Sequence, residues 1–295
     1  MDQLKFVWTI AQKDDGKTLR TFLLKDKMVS RQALTDIKNK GGALMVNDEL
    51  VTVRHKLQPG EIVTVCFPKE EVSEYMEPIA LPLDIVYEDD HFLAINKVSD
   101  LPTIPSRFGS TESLAQGVLH YYQTRGISST IHAVNRLDRN TTGIVLFAKH
   151  RYGHSLMSKQ LQAGTIDKGY LALCHGIPSV QQGVIEEPIG RKEGSIIERC
   201  VTGEGQYSKT LFEVIERFDD YSLVKLKLET GRTHQIRVHM AFKGYPLLGD
   251  DLYGGNHQMI DRQALHSTSL TFHHPFTEMI VEIEAPLPKD MKRLI

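Results

Sequence analysis

The chain has 295 residues, of which 41% are hydrophobic and 24% charged, an ordinary composition for a globular protein of one large or two smaller domains. Its formal net charge is −2, and this sum alone argues against a nucleic-acid-binding protein. The chain has no apolar run of about 18 residues and no signal-peptide pattern, and its three cysteines are widely spaced. We therefore expect no membrane span, no disulfide framework and a cytoplasmic location.

The charge is distributed unevenly along the chain. Residues 1–66 carry 11 basic and 8 acidic side chains, residues 67–90 carry one lysine against eight acidic side chains, and residues 91–295 carry 23 basic and 21 acidic ones. The basic side chains of the first segment are concentrated between residues 17 and 56, where a local excess can attract phosphates. The acidic stretch contains several prolines and lacks periodicity, which predicts an acidic linker over residues 67–82 between two domains.

Two helices and several short strands are predicted in the N-terminal segment. A helical pattern begins at Thr18, and Ser30 can cap a second helix over residues 31–40, with Gly41 and Gly42 as its stop. Short strands separated by tight turns are predicted at residues 43–46, 50–53 and 61–65. Two small helices on a few strands form a minimal core.

This order of elements resembles the S4 RNA-binding module over about residues 15–66. The segment Val46–Val51 carries the Val-Asn-x-x-x-Val pattern of the module's hairpin. The resemblance implies that the second helix presents a basic face to RNA, including Arg31 and Lys38. The charge of the segment alone would equally suit a solvated surface.

From Leu83 onward the pattern predicts a mixed α+β domain over residues 83–295. Several strands follow one another without an intervening helix, which favours a mixed, mostly antiparallel sheet. Glycine-rich phosphate-binding motifs are missing from the sequence, which excludes a doubly wound nucleotide-binding fold. Strands are predicted at residues 84–87, 92–96, 144–148, 168–174, 211–215, 223–228, 270–272 and 279–283, and helices at 113–122, 151–163 and 233–242.

The first chemically distinctive segment is Asn135–Gly143, which directly precedes a predicted buried strand. Asp138 lies in it between Arg136 and Arg139, whose guanidinium groups would keep the carboxylate ionised. Such an aspartate can act as a nucleophile or a base. The alternative is a turn-forming aspartate with a surface ion pair.

Two further segments follow along the chain. Tyr170, in Lys-Gly-Tyr at the start of a strand, has an apolar ring and a hydroxyl group, although core packing is the simpler interpretation. The segment Glu229–Met240 predicts a strand end and a helix start, with His234 and Arg237 on one helical stripe. A helix start beside arginines suits an anion. The nearby histidines lack matching carboxylates or cysteines, so we expect no metal.

Taken together, the motifs resemble the RluA-type family of pseudouridine synthases. The motifs are Asn-Arg-Leu-Asp-x-x-Thr-Thr-Gly, Lys-x-Tyr and Thr-Gly-Arg-Thr-His-Gln-Ile-Arg-Val-His, in that order. Segments 87–97 and 248–255 fit the same family, so the resemblance covers about residues 83–290. With the S4-like segment, the arrangement is that of the family's large-ribosomal-subunit enzymes. Two departures are Asn135, where the family usually has histidine, and Lys97-Val98-Ser99-Asp100, where it usually has Lys-Pro-x-Gly.

The resemblance implies the isomerisation of uridine to pseudouridine in RNA, without cofactor or metal. Asp138 would be the catalytic aspartate, acting on the ribose C1′ or on its 2′ proton. Tyr170 would stack on the base and help to remove a proton, Arg237 would pair with the aspartate, and Arg136 would help to extrude the nucleotide and fill its place. Further substrate contacts are expected from Arg232, Lys97, Arg31 and Lys38. Ribosomal RNA is the favoured partner and transfer RNA the second choice, and we expect a monomer.

Two other hypotheses remain open from the sequence. A non-catalytic RNA-binding assembly factor would use the S4-like surface and a retired catalytic domain, as the departures at residues 98, 100 and 135 would allow. A hydrolase with an aspartate nucleophile would need a second catalytic carboxylate, and no comparable motif contains one.

Overall fold

A computed structural model describes residues 3–70, 76–105 and 112–295, so residues 71–75 of the predicted linker lie outside the described residues. The strands are β1 (Lys5–Thr9), β2 (Ala43–Val46), β3 (Glu49–Leu50), β4 (Ile62–Cys66), β5 (Ile85–Glu88), β6 (Phe92–Lys97), β7 (His132–Ala133), β8 (Thr142–Ala148), β9 (Asp167–His175), β10 (Gln182–Glu186), β11 (Ile189–Arg191), β12 (Arg199–Val201), β13 (Lys209–Arg217), β14 (Tyr221–Leu228), β15 (Leu265–His273) and β16 (Ile280–Glu284). The helices are α1 (Leu19–Thr21), continued by a π-helical turn (Phe22–Asp26), α2 (Arg31–Asn39), α3 (Leu114–Arg125), α4 (Arg151–Ala163), α5 (Gln235–Phe242) and α6 (Lys289–Lys292). None of the helices in these ranges is long and apolar enough to cross a membrane.

The N-terminal unit, residues 3–67, is a four-stranded antiparallel sheet in the order β1-β4-β2-β3 with α1 and α2 packed on it. The Ser30 hydroxyl accepts the backbone N–H of Ala33 at 3.0 Å and caps α2, as the sequence predicts. Ala33, Leu34 and Ile37 are buried on one face of this helix, which explains its amphipathic pattern.

Two features of this unit differ from the prediction. Strand β1 precedes the expected start of the unit at residue 15 and was missed, because a short edge strand has too few residues for a clear alternation. The predicted strand 50–53 ends at Leu50. Beyond it, the carbonyls of Val53 and His55 accept the N–H groups of the first turn of α1, at 2.9 and 2.8 Å, and are therefore not available to a strand ladder.

The rest of the described chain is built on a ten-stranded sheet. Its main path is β10-β13-β14-β9-β15-β8-β6-β5, with β16 paired to β15 and β7 to β8, while β11 and β12 form a separate hairpin. The pairs in the described ranges are antiparallel except β15 with β8. The mixed α+β class with a mostly antiparallel sheet is therefore confirmed. Most predicted elements are present with shifted ends, and β7, β10, β11, β12 and α6 are additional.

Strand β8 lies at the centre of this unit and is buried along its whole length. Ile144 and Leu146 pack on the side of α4 around Met157, whereas Val145 and Phe147 pack on the side of α3. Burial on both faces explains why this strand is continuously apolar instead of alternating. Because β8 is packed on both faces, the end of the loop that leads into it is fixed in position.

Strand β15 brings the loop before β8 close to β9. His266 is paired with Thr142 in the parallel direction, and Ser267 is paired with Tyr170 in the antiparallel direction. A Cβ atom at Gly143, where φ is +107°, would lie 2.2 Å from the carbonyl oxygen of Ser267. Only glycine fits this approach of the two strands, which places the first and second sequence motifs side by side.

Candidate active site

The three sequence motifs line one cavity of about 580 Å³. The loop before β8, the start of β9 and the turn before α5 each contribute to its wall. The polar side chains that line it include Arg136, Asp138, Lys168, Arg232, His234 and Arg237. Segments distant in sequence therefore converge on a single site.

Asp138 is held in place through the backbone of both its neighbours. The buried Thr103 hydroxyl donates to the carbonyl of Leu137 at 2.9 Å and accepts its N–H at 3.0 Å. The carbonyl of Arg139 accepts a hydrogen bond from Lys97 Nζ at 2.9 Å. The Asp138 side chain itself stays 28% exposed in the cavity, so it is both positioned and accessible.

Arg237 is the cation that contacts Asp138. Its Nη1 lies 3.2 Å from Asp138 Oδ2, while its Nε and Nη2 form a two-point contact with Asp250 at 2.8 and 2.7 Å. Burial alone would lower the pKa of Arg237, but the hydrogen bonds and charges of Asp250 and Asp138 raise it above its usual value. The Asp250 side chain is fully buried, so it fixes the guanidinium that Asp138 faces.

His234 and Tyr253 complete the wall around this ion pair. The guanidinium carbon of Arg237 lies 4.9 Å from the Tyr253 ring centroid, and the Tyr253 hydroxyl lies 2.8 Å from His234 Nδ1. His234 Nε2 lies 3.9 Å from Asp138 Oδ2, beyond hydrogen-bonding distance. Burial lowers the pKa of His234 although Asp138 opposes the shift, so a neutral imidazole faces the carboxylate at pH 7.

The position of His234 differs from the prediction. The expected helix start at residue 233 would put His234 and Arg237 on one stripe, but α5 begins at Gln235 and His234 precedes it with φ of +57°. This left-handed conformation is uncommon for a residue other than glycine. In this conformation, outside the helix, His234 lines the cavity.

Tyr170 is a buried residue of the cavity wall, with 6% of its surface exposed. Burial raises the pKa of its hydroxyl to about 12, and a hydrogen bond with Ser267 only partly offsets this. The phenol is therefore protonated at neutral pH. Lys168 lies two residues earlier on the same face of β9, and burial lowers the pKa of its amine. Lys168 belongs to the Lys-x-Tyr motif, but the motif alone does not predict a role for it.

The arginines that flank Asp138 do not supply its counter-charge. Arg139 Nε donates to Asp100 at 2.8 Å, and the exposed Arg136 lines the cavity without an ion pair among the described residues. The expected local stabilisation is therefore provided instead by Arg237, which is distant in sequence.

Lys97 is placed differently from a substrate-binding residue. It is 1% exposed and is not among the cavity-lining residues, and its Nζ donates to the carbonyls of Val98, Leu101 and Arg139 at 2.9 Å each. Burial lowers its pKa to about 7, opposed by the charge of Asp138. Lys97 thus supports the loop that bears Asp138 from beneath.

The two departures from the family pattern have local structural explanations. The amide of Asn135 donates to the carbonyl of Ile144 at 3.0 Å and accepts the N–H of Leu146 at 2.8 Å, so it pairs with β8 as a strand residue would. Asp100 occupies the usual glycine position with φ of +58° and pairs with Arg139. Neither residue removes a group from the cavity.

The remaining predicted contacts are separated in space. Arg232 lines the cavity, with its Nε donating to the carbonyl of Tyr207 at 3.0 Å. Arg31 and Lys38 are exposed on α2 of the N-terminal unit and do not line the cavity. Any contact that these two residues make with a ligand therefore lies outside the cavity.

Asp250, His234 and Tyr253 are functional-site residues for which the sequence predicts no role. A signal existed, because the segment 248–255 fits the family and contains two acidic residues and a tyrosine. Nothing local shows that Asp250 is buried under Arg237 while the adjacent Asp251 is exposed.

The arrangement combines one accessible carboxylate with a fixed arginine, a buried phenol and a neutral imidazole. Such a carboxylate can attack an electrophilic carbon or accept a proton. Asp250 is occupied by Arg237 at both oxygens, so it does not serve as the second carboxylate that a glycosidase-type hydrolysis needs. No cluster of three metal-ligating side chains occurs within residues 3–70, 76–105 and 112–295.

Comparisons with known proteins agree with this geometry. The family model described as RNA pseudouridylate synthase matches residues 91–242. YjbO, an uncharacterised RNA pseudouridine synthase of Bacillus subtilis (strain 168), is 50% identical over 267 residues, 90% of this chain and 94% of that protein. Ribosomal large subunit pseudouridine synthase D of Escherichia coli O157:H7 is 35% identical over 267 residues, 85% of this chain and 81% of that protein. The structure of human RNA pseudouridylate synthase domain containing 1 matches with a TM-score of 0.59 and 28% identity, over 72% of this chain and 86% of that one.

Proposed function

Because the chain belongs to the RluA-type RNA pseudouridine synthases, which are isomerases, we propose that it forms pseudouridine in large-subunit ribosomal RNA with Asp138 as the catalytic aspartate. The observation that carries the proposal is the accessible Asp138 carboxylate, held by a buried arginine in a cavity lined by all three motifs. The RNA class rests on the names of relatives that are themselves large-subunit enzymes.

The reaction begins when the target nucleotide leaves its stack and enters the cavity. Extrusion costs a few kcal/mol, and stacking on an aromatic ring returns roughly 1–3 kcal/mol per base. We assign the stacking to Tyr170. We assign to Arg136, which is exposed and lines the cavity, the role of occupying the space that the nucleotide leaves.

Asp138 then starts the isomerisation by one of two routes. It attacks the ribose C1′, or it removes the 2′ proton, and either way the bond between C1′ and N1 of uracil breaks. The uracil turns and C5 bonds to C1′. On the first route the bond between C1′ and Asp138 breaks in this step, and on the second route the proton returns to C2′. The proton on C5 then leaves, and N1 takes up a proton. Both routes need a positioned carboxylate oxygen, and the hydrogen bond from Arg237 Nη1 fixes Oδ2 of Asp138.

The protonated state of Tyr170 limits its role. Since burial raises the pKa of this phenol to about 12, it is a poor proton acceptor at neutral pH. We therefore assign Tyr170 to base stacking and leave the C5 proton to Asp138 or to water that enters the cavity.

The test is pseudouridine mapping on ribosomal and transfer RNA from cells with and without the gene. We expect the loss of one or more sites in large-subunit ribosomal RNA, restored by the wild-type gene and not by Asp138→Asn. Sites lost only from transfer RNA would overturn the RNA assignment. Full restoration by Asp138→Asn would overturn the catalytic assignment and favour an assembly factor.

A further inference from the structure

The N-terminal unit shares a buried aromatic contact with the catalytic unit. Tyr152, in the first turn of α4, is 4% exposed and belongs to the same buried cluster as the core of the N-terminal sheet. The ring centroids of Phe6 and Phe67 lie 5.0 and 5.3 Å from that of Tyr152, and Phe6 also stacks on Phe276 at 5.2 Å. The two units are thus joined by apolar burial, which water does not easily replace.

Polar contacts surround this aromatic centre. Arg151 Nη1 lies 2.6 Å from Asp36 Oδ2, and the Asp36 side chain is only 5% exposed. The Arg151 backbone N–H donates to Glu70 Oε1 at 2.7 Å, and Lys159 Nζ donates to the carbonyl of Met28 at 2.8 Å. We call these residues, with Tyr152, the seam.

The side chains of helix α2 point in three directions, and only one of them is toward the seam. Its apolar side chains enter the core, and Asp36 points to Arg151 across the seam. Arg31 and Lys38 remain exposed. The docking therefore uses a carboxylate of the helix and leaves these two cations available to phosphates.

Helix α4 connects the seam to the catalytic cavity. Its first residue, Arg151, contacts the N-terminal unit, and Leu161 near its other end lines the cavity. Ten residues of helix separate the two, or about 15 Å at 1.5 Å per residue. The helix thus sets a fixed offset between α2 and Asp138.

We propose that Asp36, Arg151 and Tyr152 are specificity-determining residues: they hold the basic face of α2 at a fixed offset from the cavity, so that RNA with phosphates at that offset from the target uridine is selected. This inference rests on the proposed function. Ordering one unit against the other during binding would cost free energy and weaken RNA affinity. Two binding surfaces that are already docked avoid this cost.

The first experiment measures the docking itself, without any need for turnover. Spin labels at Leu50→Cys on β3 and Val184→Cys on β10, both exposed positions, report the distance between the units in full-length protein with Cys66 and Cys200 replaced by serine. We expect one narrow distance distribution for the wild type. A broad wild-type distribution would overturn the proposal.

The second experiment opens the seam. Arg151→Asp places a second carboxylate beside Asp36, and Tyr152→Asp places one in the aromatic contact, so each broadens the distribution. The double variant Asp36→Arg/Arg151→Asp reverses the ion pair and restores the narrow distribution. Arg217→Asp, an exposed arginine on β13 outside the seam, controls for the charge change. Unchanged distances in both seam variants would contradict the assignment.

The third experiment links the seam to RNA. With transcribed large-subunit ribosomal RNA, we expect Arg151→Asp to weaken binding about tenfold and to raise KM with kcat unchanged, while the double variant recovers both values. Turnover is read as release of the uridine C5 hydrogen. If Arg151→Asp broadens the distance distribution and still binds RNA as tightly as Arg217→Asp does, the proposal is overturned. If no turnover occurs for any protein, the proposed function fails separately, because distances and RNA affinity still test the seam.

Discussion

Arg237 contacts two carboxylates that differ in accessibility. Asp250 is fully buried and binds two nitrogens of the guanidinium, whereas Asp138 is partly exposed and receives the third. We therefore infer that Asp250 positions Asp138 through Arg237. A fixed guanidinium adds no reorganisation cost when the carboxylate reacts.

Asp250→Asn tests this positioning role. We expect kcat to fall about 100-fold with a small change in KM, because a misplaced partner is costly for a reacting group. The melting temperature should also fall, since Arg237 loses its fully buried carboxylate partner and keeps only Asp138, and breaking a buried ion pair costs up to about 3–5 kcal/mol. Asp251→Asn at the exposed neighbour is the matched control, and equal kcat values in the two variants would contradict the role.

His234 leads to a prediction about pH. Burial lowers its pKa below the usual value near 6.5, so it becomes protonated only in acid, where the new charge competes for the Asp138 carboxylate. We expect wild-type kcat to fall as the pH drops below 6.5. His234→Asn suits the left-handed backbone and should shift the acid limb to lower pH. An unchanged profile in this variant would exclude His234 as the cause.

At the scale of elements, the loop before β8 depends on contacts from elsewhere in the chain. Lys97 at the end of β6 donates to three carbonyls, one of which follows Asp138, and Thr103 holds the residue before it. β15 places this loop beside β9. The position of this loop is therefore set by contacts from several other segments of the chain.

Lys97→Met should loosen this loop. Each carbonyl left without a donor and without water costs about 1–3 kcal/mol, so we expect lower stability and lower kcat. Lys225→Met, at an exposed position of β14, is the control. The folded pKa of Lys97, about 7, is below the unfolded value of 10.5, so between them the unfolded state binds more protons. Wild-type stability relative to Lys97→Met should thus rise from pH 7 to pH 10. Denaturant titration across this range checks the sign.

At the scale of the whole molecule, the net charge of −2 conceals local surfaces of opposite character. The acidic excess lies in residues 67–90, and the basic excess lies in the N-terminal unit and around the cavity. RNA affinity depends on local phosphate contacts more than on the total charge. The whole-chain sum was therefore a poor guide to the partner.

Neutralising the basic face of α2 tests this local charge. Arg31→Gln/Lys38→Gln should weaken RNA binding and lower the slope of log affinity against log salt by about 1 per lost phosphate contact. Arg217→Gln/Lys225→Gln, exposed on the large sheet, should leave the slope unchanged. Equal slopes in the two double variants would argue against the S4-like interpretation.

The sequence by itself determined the α+β class, most helices and strands, and the three motifs, because these depend on local periodicity and on residue order. It also indicated the family, which the relatives confirm. It failed where the deciding neighbour is distant. The residues next to Asp138 suggest its adjacent arginines as partners, whereas the structure pairs it with Arg237, as only the family resemblance implies. Lys97 holds a loop instead of lining the cavity.

Only the tertiary structure decided which acidic residue is buried, where His234 points and how the N-terminal unit docks on α4. Burial and ion pairing depend on contacts between segments tens to hundreds of residues apart, and local sequence patterns carry no information about those contacts. The seam is the clearest case. Asp36 and Arg151 each look like ordinary surface charges until the fold brings them together across two units.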